Sequence, residues 1–249
     1  MRIVILGAGR VATHMAKALH KNGHKIDAVW SRTIESAQRL ARVVDSFPVN
    51  DISVLPTDAD AYIIAVKDSA LQEVIAKATK GREGSLFLHT AGSMPLSVFD
   101  GYTENGGVFY PMQTFSMERE VDFRAIPLFI EGADARIRQL AESISEHVYE
   151  LSSDDRKYLH LAAVFACNFA NHCYTLAAEV LEKKGLPFDV MLPLVDETVR
   201  KVHELHPKEA QTGPAIRGDK NVMAAQAALL DSRMQAIYNL MSESIQEKA

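Results

Sequence analysis

The residues best suited to chemistry stand near the start of the chain. Gly7-Ala8-Gly9-Arg10-Val11-Ala12 follows an apolar run at 3–6 and opens a stretch in which Val11, Met15, Ala18 and Leu19 recur at helical spacing. A strand-to-helix turn of this kind suits a pyrophosphate. Gly7 permits the tight turn, Gly9 lets the backbone approach a phosphate, and Ala12 keeps the helix close to the sheet, while the first helical N–H groups face the anion. At the end of the second apolar run the chain reads Val29-Trp30-Ser31-Arg32-Thr33. The carboxylate that would accept from a ribose hydroxyl is missing there. A guanidinium between two hydroxyls suits a phosphate on that ribose instead, so the pattern predicts NADP (NADPH) rather than NAD. Asp27 begins the same run, away from the edge where ligands bind, and is expected to face solvent or to cap.

Other loops that follow apolar runs reach the same edge. Val66, Lys67, Asp68, Thr90, Ala91 and Gly92 are candidates for cofactor contact, Ser93 for substrate or the nicotinamide ribose, and Gln113 for substrate; the alternative is a solvated surface position for Lys67 and ordinary turn chemistry for the others. A second group lies farther on. If one α-helix runs through it, Lys157, His160, Val164, Cys167, Asn168, Asn171 and Thr175 share a sector of about 100°. A buried polar group without a partner costs about 1–3 kcal/mol, so such a stripe faces a crevice or a partner. His160 is a candidate proton donor, Asn168 and Asn171 could orient a substrate oxygen, and Lys157 could supply charge or a proton. A hydrogen-bonded helix–helix contact is the alternative. Arg217, in the loop 212–219, either holds an anionic substrate group or pairs with Asp219.

These residues need elements to carry them. Short apolar runs at 2–6, 26–30, 62–66, 86–89, 107–110 and 128–131 alternate with helical stretches, and several are apolar at consecutive positions, which predicts strands covered on both faces. The expected fold class is α/β: a Rossmann-like, doubly wound, mostly parallel sheet over 1–152, followed by an all-α domain over 153–249. Helices are predicted at 155–184, 189–205, 221–230 and 232–246, separated by Gly185, Pro187, Pro207 and a loop at 211–220. The 249 residues are 47% hydrophobic and 24% charged with a formal net charge of -5, and no basic stripe or long apolar span is present, so neither nucleic acid nor membrane is expected as a partner. No metal is expected. Cys167 and Cys173 are spaced against a disulfide and are read as buried thiols. The apolar run at 3–6 is too short for an export signal, and a cytoplasmic location is expected.

The segments 7–12, 31–33, 65–68, 89–93, 110–116, Asn168 and 212–219 resemble a family of bacterial proteins that join a deazaflavin-dependent NADP-oxidoreductase-like Rossmann domain to a helical C-terminal domain. The resemblance spans nearly the whole chain. More distantly the chain is similar to pyrroline-5-carboxylate reductase, ketopantoate reductase and the 6-phosphogluconate dehydrogenase superfamily. That similarity implies a second domain of the 6-phosphogluconate dehydrogenase C-terminal-like type, a homodimer formed through it, and hydride transfer to or from a small carbonyl, imine or deazaflavin substrate. Two positions depart from the relatives. Tyr110 stands before Pro111 where they often have His, and Val164 stands four residues before Asn168 where hydroxyacid dehydrogenases have Lys. His160 and Lys157 are the nearby substitutes. A non-catalytic NADP-binding sensor or interaction protein is the alternative, whereas a methyltransferase of this fold would want an acid after the second strand.

Overall fold

The structure is a computed structural model that describes residues 1–247; the last two residues of the part expected over 153–249 lie outside the described residues. Its strands are β1 (Arg2–Leu6), β2 (Lys25–Trp30), β3 (Phe47–Val49), β4 (Ala61–Ile64), β5 (Leu86–His89), β6 (Gly106–Pro111), β7 (Leu128–Glu131) and β8 (Val148–Glu150). They form one sheet in the order β3-β2-β1-β4-β5-β6-β7-β8. Every neighbouring pair is parallel except β6 with β7, where Tyr110 stands opposite Phe129 and Val108 opposite Glu131. The Rossmann-like, doubly wound sheet is thus present. β3 and β8 are two strands that hydropathy patterning does not detect, because three residues are too few to establish an alternation and Pro48 argues against a strand.

Apolar residues at consecutive positions follow from cover on both faces. Ile3 and Ile5 pack with α1 (Arg10–Lys21), α2 (Ile34–Val43) and α4 (Ala135–Ile144) on one side, and Val4 and Leu6 pack with α3 (Asp68–Ala78) on the other. Between β1 and β4 the direction of chain progression reverses, the place at which sheets of this kind bind ligands beside the carboxyl ends of their strands. Asp27 differs from expectation. It is 7% exposed and takes Arg2 Nε at 2.7 Å and Lys25 Nζ at 3.3 Å, because the amino-terminal ends of β1 and β2 bring two cations to it.

Contacts divide the chain into a unit spanning Met1–Cys167 and one that begins at Asn168. The first unit includes α5 (Ser153–Ala163), which Ser152 opens by accepting from the Asp155 N–H at 3.1 Å. The single helix expected over 155–184 is instead α5, a π-helical segment Val164–Phe169 and α6 (Ala170–Glu182). The wider π turn breaks the uniform spacing that aligned Lys157 with Thr175. The second unit continues through a 3₁₀ turn Phe188–Met191, α7 (Leu192–Glu204), α8 (Lys220–Ala227) and α9 (Ser232–Glu247). Among its described apolar residues only Ala215 and Met234 are buried. Cys167 is exposed and Cys173 half-buried, contrary to the expected buried thiols, because few side chains pack on this stretch of helix.

Candidate active site

The first half of the site is built by β1 and α1. Gly7 has φ +129°, and a Cβ there would stand 2.2 Å from the Ala65 carbonyl oxygen, so only glycine lets β1 turn this close to the end of β4. Gly9 has open space where a Cβ would point. It caps α1 with no side-chain hydrogen bond, and the first turn of α1 has no acidic residue. The helix therefore presents free N–H groups beside an open backbone, which fits an anionic pyrophosphate. Arg10 is exposed, Val11 partly so, and Ala12 is buried at 1%. One strand over, Ser31 donates its N–H to Val49, and Arg32 is exposed with no hydrogen bond or ion pair among the described residues. The Thr33 hydroxyl donates to Ser36 at 2.8 Å, and Arg39 also reaches Ser36 at 2.8 Å. Cations and hydroxyls thus gather with no carboxylate paired to Arg32. Trp30 ends β2, buried, with its indole N–H unpartnered.

The next loops stand at the ends of β4 and β5. Val66 and Ala65 are half-buried, Lys67 caps α3 with an exposed side chain, and Ser93 donates a short hydrogen bond to the Asp68 carboxylate, which ties the two loops together. Thr90 N–H donates to Ile64. His89 is wholly buried and accepts from the Ala91 N–H at Nδ1, 3.2 Å away, so the β5 loop is pinned from below. Burial pushes this imidazole down to about 4, with the nearby Arg156 charge acting in the same direction.

At the end of β6 the site gains its polar pair. The Tyr110 hydroxyl lies 3.0 Å from His160 Nδ1, with the rings edge to face. Gly92 is buried against both: a Cβ there would meet His160 Nδ1 at 2.5 Å and Tyr110 Cε2 at 3.0 Å. His160 is placed by Arg156, one turn earlier on the same face of α5. Arg156 is 1% exposed and donates to Glu131 at 2.6 Å and to the Met94 carbonyl at 2.6 Å, while Ser153 gives its N–H and hydroxyl to the same carboxylate at 3.0 and 2.7 Å. Burial pushes Glu131 up, but the bonds from Arg156 and Ser153 outweigh it and hold the carboxyl below its usual range.

The structure therefore joins Gly92 and His160, two residues nominated from sequence, through Tyr110, Arg156 and Glu131, which were not nominated. The signal for Arg156 was its place four residues before His160, hidden among the charged residues of a helix start. The other candidates divide between the two units. Lys157 is exposed and pairs with Asp154 at 3.0 Å. Gln113 is exposed, its side-chain oxygen accepting from the Thr114 N–H. In the second unit Asn168 and Asn171 are exposed, and the Asn171 carbonyl accepts from Thr175. Arg217, exposed, lies 3.7 Å from the half-buried Asp219. Among the described residues no three His, Cys, Asp or Glu side chains gather as a metal site, and no helix is long and apolar enough to cross a membrane.

Comparison with known proteins agrees with this layout. Residues 1–113 match the Rossmann-like domain, and residues 126–245 match a domain of unknown function, DUF2520. Among solved structures, a Bacteroides fragilis protein described as a candidate NADP oxidoreductase is 52% identical, with a TM-score of 0.94, covering 99% of this chain and 98% of its own. A Thermotoga maritima protein is 22% identical over 99% and 98% of the two chains, at a TM-score of 0.71. An imine reductase from Myxococcus stipitatus, in complex with NADP+, is 17% identical over 99% and 93%, at 0.74. These last two share the fold. No curated protein matches the chain. With more than half its residues identical to the Bacteroides fragilis protein over nearly the full length, the chain belongs to the family in which a Rossmann-like domain precedes a DUF2520 domain.

Proposed function

We propose that this chain is an NADP(H)-dependent oxidoreductase that moves hydride to or from a small molecule at the carboxyl ends of β4, β5 and β6. The observation that carries the proposal is the open space at Gly9, before an uncapped helix N-terminus, together with an unpaired Arg32 one strand away. The description of the 52%-identical relative as a candidate NADP oxidoreductase supports the same reading. Gly7–Ala12 would hold the pyrophosphate and Ser31, Arg32 and Thr33 the phosphate-bearing ribose. The rest of the dinucleotide then extends the other way, past Val66, Lys67 and Asp68, toward Thr90, Ala91 and Gly92. When bound, the cofactor supplies or accepts hydride. His160 holds the proton that accompanies it, and Lys157, Asn168, Asn171, Ser93, Gln113 and Arg217 complete the proposed catalytic and substrate contacts. In this reading 1–152 is the cofactor part and 153–249 the substrate and dimer part, in the cytoplasm.

The homodimer is part of the proposal. α6, α7 and α8 have no buried residue, yet helices of 8 to 13 residues are marginal alone in water. Leu176, Val180, Met191, Leu230 and Ile237 line an apolar groove of about 430 Å³ within the second unit. Burying one such side chain contributes about 1.5–3 kcal/mol, and a second copy offers the same apolar helices in return.

Replacing Arg32 by Ala tests the cofactor assignment. A charge-assisted hydrogen bond contributes about 1.5–3 kcal/mol, so the NADPH dissociation constant should rise about 10- to 100-fold while NADH binding is unchanged. Trp30 fluorescence reports both titrations. Equal losses for the two cofactors would mean that Arg32 only supports the loop.

A further inference from the structure

Tyr110 and His160 are each other's only side-chain hydrogen-bond partner among the described residues. Tyr110 is 8% exposed, and a buried hydroxyl hydrogen without an acceptor costs about 1–3 kcal/mol. The phenol therefore donates and His160 Nδ1 accepts. That hydrogen bond selects the tautomer that carries its proton on Nε2. Gly92 packs against the same nitrogen, where a Cβ would stand 2.5 Å from Nδ1. Burial pushes the Tyr110 phenol up; the Arg156 charge opposes this and Cys167 adds to it, so the phenol keeps its proton at neutral pH. The imidazole is half-exposed, and its Nε2–H has no hydrogen-bond partner among the described residues. It is the donor left for a ligand.

We propose that Tyr110 and His160 form a two-residue proton relay, and that the relay fits the chain to reduce neutral carbonyl groups. This rests on the oxidoreductase reading and narrows its substrate class. As hydride reaches the carbonyl carbon, the C=O π pair moves onto oxygen, which takes the proton from His160 Nε2. Nδ1 takes the proton of Tyr110 in the same event. The imidazole stays neutral with its proton moved to Nδ1; the pair resets when the half-exposed Nε2 takes a proton from water and Nδ1 returns its own to the phenolate. The reductant is NADPH, released as NADP+. A carbonyl oxygen gains negative charge during hydride addition and needs this proton. A preformed iminium cation becomes a neutral amine by hydride addition alone, so the relay has nothing to deliver. His160 is the catalytic residue, and Tyr110 acts through it.

The test offers pyruvate, acetophenone and N-methylpyrrolinium with NADPH to the wild type, Tyr110→Phe and His160→Gln. Positioned proton transfer contributes about 10²–10⁴-fold. Carbonyl turnover by Tyr110→Phe should therefore fall by about that factor in kcat with little change in KM, and the doubly substituted protein should fall no further than His160→Gln. Iminium turnover should fall far less than carbonyl turnover in Tyr110→Phe, and NADPH binding followed by Trp30 fluorescence should stay at the wild-type level in that variant. Two measurements need no variant. Nitrogen-labelled histidine in the protein without cofactor should show His160 with its proton on Nε2, and carbonyl turnover in mixed light and heavy water should report two protons in flight. A proton found on Nδ1, or unchanged carbonyl turnover by Tyr110→Phe, overturns the relay. Iminium turnover without carbonyl turnover also overturns it and leaves the oxidoreductase reading standing. NADPH binding with no turnover of either class removes both.

Discussion

At Gly92 the lack of a side chain lets His160 reach Tyr110, and no inspection of neighbouring residues could show this, since the two partners lie 50 positions apart. By contrast the chemistry of Gly7, Gly9 and Arg32 is legible in sequence because a strand-to-helix turn completes it locally. His89 carries a residue-scale prediction. Its ring is buried neutral, pushed from 6.5 down to about 4. The unfolded chain takes up the proton first as pH falls, so the stability from the neutral ring is complete above the unfolded value and is lost on descending toward the folded one. Between pH 7 and 5 this loss should amount to about 2 kcal/mol. His89→Gln keeps an acceptor for the Ala91 N–H but does not titrate, so urea unfolding should show a smaller acid loss by about that amount. Equal acid losses in the two proteins would rule out His89 as the source.

At the scale of elements, α5 is the part that brings His160 to the sheet, and its attachment is electrostatic. Arg156 is 1% and Glu131 21% exposed, so removing one partner strands a largely desolvated charge. Arg156→Met should lose about 3–5 kcal/mol in chemical denaturation, whereas Arg156→Met combined with Glu131→Leu should lose much less. Equal losses would show that packing, not the pair, fastens the helix. The start of α5 was legible, since Ser152 caps it as the Ser and Asp cluster predicts. Its end was not, because a π turn has no distinctive composition and the residues of Val164–Phe169 are as acceptable in an α-helix. The short β3 and β8 escaped notice for a related reason: their pairing with β2 and β7 holds them in place, and their own pattern does not.

For the molecule as a whole, the alternation of strand and helix was enough to give the sheet and its carboxyl edge, because each βα step buries apolar residues on both faces. What covers the helices after Asn168 could not be read so directly. Their exposed Leu194, Val202 and Leu240 are 59%, 48% and 67% exposed, and each looks like a core residue in sequence. Sedimentation across a dilution series should find a dimer, and diluting below its dissociation constant should lower helical circular dichroism along with the dimer fraction. A monomer at every concentration with unchanged helicity would end the homodimer proposal. The edges of the sheet bear on the form such assembly can take. β3 offers three residues including Pro48, which has no N–H to give, and β8 offers three ending in Glu150, held at 2.6 Å by Arg138. Short, charged or proline-bearing edges resist the addition of a strand from another molecule. Growth by continuing one copy's sheet into the next, the route to fibrils and other open-ended polymers, is therefore closed, and association is directed to helical surfaces that two copies can satisfy completely.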